Sequence, residues 1–101
     1  MSFLDDIKEL RIQYLRSVID EIVENINSID DKVNYEKIRD FSHRIKGSGS
    51  SYGFDFITEK AILISEMAKA FKTPEDIKKI LLSLKNLCEA SLKGLSGDFN
   101  G

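Results

Sequence analysis

A chain of 101 residues that is 42% hydrophobic and 32% charged fits one globular domain, and its composition is not that of a disordered segment. Its net charge of −2, with the basic residues dispersed, excludes the footprint of a nucleic-acid binder, and no apolar run approaches the length of a membrane span. A single cysteine, Cys88, cannot close an internal disulfide, and the amino terminus lacks the basic-then-apolar layout of a secretion signal; both features point to a cytoplasmic protein.

Ser2 is a suitable N-cap for a first helix from Phe3 to about Asn27, with Asp5 and Asp6 in its first turn, where the helix dipole favours acids. Ile7, Leu10, Tyr14, Val18 and Ile22 recur at helical spacing, and Leu15, Ile19, Val23 and Ile26 broaden the stripe enough to touch more than one neighbour. Ser28 to Val33 reads as a turn with Ile29 tucked inward. Asn34 then caps a second helix running to about Ser51 or Tyr52, and Gly53 suits the left-handed residue that follows a helix end. Asp55 is placed to cap a third helix, Phe56 to Phe71. Its stripe is Ile57, Ala61, Ile64, Ala68 and Phe71, widened by Phe56, Leu63 and Met67. Thr73-Pro74-Glu75-Asp76 is a strong helix start: a hydroxyl cap, proline at the first position, then two acids. This fourth helix is expected to run to about Lys93 and stop at Gly94, leaving 95–101 as a frayed tail. Ile77, Ile80, Leu81, Leu84, Leu87, Cys88, Ser91 and Leu92 face inward. Cys88 lies mid-face and reads as a small buried hydrophobe. With no sustained period-two alternation, the fold expected is all-α, an antiparallel up-and-down four-helix bundle.

The second helix carries the one histidine. At about 100° per residue, Ile38, Phe41, Ile45, Ser48, Gly49 and Tyr52 fall on one side and His43 on the other. Gly47 lies one turn after His43 on the exposed face, where a helix-interior glycine costs about 1 kcal/mol relative to alanine. A cost taken there implies that something must approach the helix beside the imidazole. Lys46 at i+3 and Arg39 at i−4 flank the ring; two cations favour its neutral, nucleophilic form and balance an anion later carried on it. Such an arrangement suits a histidine that accepts a phosphoryl group. Ser50, one turn beyond, is within reach of phosphoryl oxygens, whereas Ser48 points inward and reads as structural.

The run His43-x-Ile45-Lys46-Gly47-Ser48-Gly49-x-x-x-Gly53, followed by Ile57 and Ala61, closely resembles the signature of histidine-containing phosphotransfer (HPt) domains. The resemblance implies a four-helix module passing phosphate between His43 and the aspartates of response-regulator receiver domains, with a sensor histidine kinase as a further partner. It also implies that Lys46 offsets phosphate charge, that Gly47 leaves room for the partner, and that any magnesium resides in the receiver. Several family members hydrogen-bond the imidazole with Glu or Gln; Ser65 stands at the matching position here. The chain itself calls for no cofactor. Di-iron bundles need paired Glu-x-x-His motifs, and only Asp40-x-x-His43 occurs; no second histidine serves a nucleophile, and no phosphate-binding glycine loop follows a strand. The expected role is therefore a monomeric phosphoryl carrier, not an enzyme with its own kinase activity. The competing class is a helical interaction module that binds partners without carrying phosphate.

Overall fold

A computed structural model describes residues 3–29 and 32–97. Among these every regular element is helical and there is no strand: α1 (Phe3–Ser28), α2 (Tyr35–Gly49), a 3-10 turn (Ser50–Tyr52), α3 (Asp55–Lys69) and α4 (Pro74–Ser96). The expected cap Ser2, the turn residues Asp30 and Asp31, and the tail beyond Gly97 lie outside the described residues. No helix among those described is long and apolar enough to cross a membrane.

Local chemistry sets the ends of α2 and α4. Asn34 Oδ1 accepts the Lys37 amide at 3.1 Å and Thr73 Oγ1 accepts the Asp76 amide at 3.2 Å, so both expected caps are made. Gly53 adopts φ +86°, where its amide donates to Ser50 O at 2.9 Å. α2 packs on α3, α1 on α4, and α3 on α4. Leu15, Ile22, Phe41, Ile45, Ile57, Ile64, Ile77, Leu81 and Leu84 fill the space between the helices, with Cys88 buried among them. Each such apolar side chain contributes roughly 1.5–3 kcal/mol by leaving water. Burial pushes the Cys88 thiol up to about 12, as befits a hydrophobe rather than a nucleophile.

A clamp ties α1 to the corner after α2. Arg11 Nε donates to Tyr52 O at 2.8 Å while its guanidinium lies 4.5 Å over the Phe54 ring, and Tyr14 stacks on Tyr52 at 4.2 Å. The Ser48 hydroxyl donates to Arg44 O at 3.0 Å, which leaves the Tyr14 phenol to donate to Ser48 Oγ at 2.7 Å. Ser48 is thus structural, as its inward position implied.

Five expectations are corrected. Phe71 is not core: α3 ends at Lys69, and Phe71 stands at φ +53° and is 71% exposed. The amide of Phe71 closes on Ala68 O and that of Lys72 on Met67 O, which turns the chain away before the apolar stripe reaches residue 71. Asp55 is the first residue of α3 and not its cap; Phe54 holds that position without a side-chain bond. α4 does not stop at Gly94. It continues to Ser96 and ends at Gly97, φ +76°, because Leu95 packs on the core and so outweighs the propensity cost of the glycine. α2 leaves the α-helical ladder at Gly49, earlier than Ser51. Finally, Ile7, Leu10, Leu63 and Leu87 are exposed, while Ile12, Asn25 and Ser42, assigned to no core stripe, are buried. Ser42 satisfies its hydroxyl locally on Arg39 O at 2.9 Å.

Candidate functional site

His43 is on the exposed side of α2, opposite Ile38, Phe41 and Ile45, which anchor that helix in the core. The buried stripe therefore determines where the imidazole points. Gly47, one turn further, is exposed, and a Cβ built there meets nothing within 4 Å. An approaching surface finds bare helix backbone beside the ring.

Beside His43, α2 and α3 border an open groove of about 530 Å³ lined by Arg39, Asp40, His43 and Arg44 from α2 and Ser65 and Lys69 from α3. The groove brings together His43, Arg39 and Ser65 of the sequence-derived residues. Lys46, Gly47 and Ser50 are exposed on the same helix, or the turn that follows it, but do not line the groove. Ser65 is only partly exposed and is close enough to share a cavity with the ring.

The charges divide clearly. Arg44 is engaged, with its guanidinium 2.8 Å from Glu21 on α1 and 6.0 Å over the Phe41 ring. Among the described residues, Arg39, Lys46 and Lys69 make no ion pair, so three cations around His43 are answered only by solvent and the nearby Asp40. A chain of net charge −2 thus gathers positive charge around its one imidazole, which suits an anion held there.

Two residues were missed at the sequence level. Lys69 follows Ser65 by four positions, so a wheel of α3 aligned with that of α2 places it in the groove. Thr58 is half-buried, and its hydroxyl donates to Lys46 O at 2.9 Å while accepting from the Ser50 amide and the Ser50 hydroxyl, both at 3.1 Å. No periodicity marks a hydroxyl that acts between two helices. Ser50 accordingly directs its proton to Thr58. Comparisons with protein-family models, with curated proteins and with solved structures find no match for this chain.

Proposed function

We propose that this protein is a histidine phosphotransfer carrier of the HPt type, an antiparallel up-and-down four-helix bundle that exchanges a phosphoryl group with the aspartates of receiver domains. One observation carries the reading: a solvent-facing imidazole next to an exposed glycine with open space over it, among three cations that pair with no carboxylate of the described residues. The short connections after α2 and α3 support the bundle topology, since helices joined by a few residues pack back to back.

In the forward step a nitrogen lone pair of neutral His43 attacks phosphorus in an aspartyl phosphate. The N–P bond forms, the acyl P–O bond breaks, and the aspartate leaves as carboxylate. The ring keeps the proton on its other nitrogen and becomes cationic, a charge matched by the negative charge that leaves on the carboxylate, and the return step reverses each change. Arg39, Lys46 and Lys69 offset the phosphoryl charge, and Ser65, which borders the same groove, orients the ring. The receiver supplies the metal ion and most of the transition-state stabilisation.

Incubation with phosphorylated receiver domains is expected to leave acid-labile, alkali-stable label on the wild-type chain and none on His43→Gln. That substitution is at an exposed position and should change stability by no more than about 0.5 kcal/mol. An unlabelled wild type, or a labelled His43→Gln, refutes the proposal; partner binding without label identifies an interaction module instead.

A further inference from the structure

In an uninterrupted α helix the Ser50 amide donates to Lys46 O. Here the Thr58 hydroxyl from α3 is inserted into that rung: it donates to Lys46 O at 2.9 Å and receives the Ser50 amide at 3.1 Å and the Ser50 hydroxyl at 3.1 Å. A hydroxyl offers one proton and two acceptor sites, so its capacity is filled. Insertion of a side chain into the ladder is a known cause of helix distortion, and the α-helical course of α2 stops at Gly49, continuing as a 3-10 turn. Gly49 independently belongs to the same device. A Cβ there would come within 2.9 Å of Thr58 Oγ1, so the absence of a side chain is what admits the hydroxyl.

All three groups that the Thr58 hydroxyl bonds belong to Lys46 and Ser50, both on the face around His43, and Gly47 lies between them. We infer that Thr58 is a positioning residue of the phosphoryl-accepting site: by occupying the Lys46–Ser50 rung from α3, it fixes the last turn of α2 and hence where Lys46, Gly47 and Ser50 stand relative to the imidazole. The inference rests on the reading of His43 as phosphoryl acceptor. With the hydroxyl removed, Lys46 O and the Ser50 amide are free to rejoin directly, and the turn rewinds toward α geometry.

The test compares Thr58→Val, which keeps the shape and loses the hydroxyl, with Thr58→Ser, which keeps the hydroxyl. Loading of His43 is followed at varied concentrations of a phosphorylated receiver that labels the wild type, with thermal melts in parallel. Thr58→Val is expected to slow transfer by about tenfold at saturating receiver, the scale of a small misplacement at a reacting centre, and Thr58→Ser to restore it. Thr58→Ala should show the same loss and stands in if the valine variant does not fold. Amide exchange at Ser50 should change in the Val and Ala variants only. A folded Thr58→Val or Thr58→Ala that transfers at the wild-type rate, or a Thr58→Ser as slow as either, overturns the inference while leaving the carrier intact. A wild type that no receiver labels overturns the carrier reading and this one with it.

Discussion

Alanine at the two glycines of α2 separates propensity from packing. Both residues lie within α2, and Gly49 has helical φ −53° and ψ −56°, so each alanine gains about 1 kcal/mol of helix propensity. At Gly47 the added methyl meets nothing within 4 Å, so the gain stands, and Gly47→Ala should stabilise the protein by about 1 kcal/mol. At Gly49 it meets Thr58 Oγ1 at 2.9 Å and Cβ and Cγ2 of Ile57 at 3.0 Å. Ile57 is fully buried and its Cβ is fixed to the backbone, so it cannot swing aside. Overpacking of this kind costs about 1–3 kcal/mol and cancels or exceeds the gain. The two variants should therefore differ by about 1–3 kcal/mol, which for a domain of this size separates their melting temperatures by at least about 4 °C. Circular dichroism melts at one protein concentration suffice to measure it. A Gly49→Ala as stable as Gly47→Ala, or a Gly47→Ala less stable than wild type, refutes the packing assigned to the two faces of α2.

Removing the exposed Lys46 ammonium should slow loading of His43 and shorten the life of its phosphate by up to about fivefold, the reach of a surface charge pair, with helical content unchanged; equal decay curves for Lys46→Ala and wild type would show the lysine to be only solvated. At Phe71, φ +53°, both Gly and Ala remove the ring's edge contact with Tyr35, but only Gly relieves the backbone, so denaturant melts should find Phe71→Gly more stable than Phe71→Ala by about 1 kcal/mol. The Cys88 thiol, raised from 9.0 to about 12 in the folded chain, ionises earlier when unfolded. Its contribution is therefore complete below about pH 9 and is lost as pH rises toward 12, and alkylation at pH 8 should follow global unfolding; rapid labelling of the native protein would contradict this.

What could be read from the residues was whatever a single helix decides alone. The caps at Asn34 and Thr73, the turn at Gly53 and the opposition of His43 to Phe41 and Ile45 need only local hydrogen bonds and a period of 3.6. Features set between helices were not legible. Thr58 matters because α3 lies against α2, and Lys69 joins the groove for the same reason. Gly94 and Gly97 are equally good stops by residue type, and the packing of Leu95 decides between them. Phe71 continued a helical period whose backbone had already turned, in a left-handed position that the residue type does not advertise.

The pairing of the first helix with the last has a kinetic consequence. α2 and α3 are separated by a few residues and find each other by closing a small loop, whereas α1 and α4 meet only after everything between them has been gathered in. The intervening segment is roughly nine times longer, an added closure entropy of about 2 kcal/mol. The helix hairpin bearing His43 is thus the early-forming half of the molecule, and the α1–α4 seam is the late one. Arg11, whose bond to Tyr52 bridges 41 positions, ties α1 to the corner of the early hairpin and so forms late as well. Loosening it should quicken unfolding while barely touching the folding rate, which makes α1 the part of this protein that sets how long the native state survives.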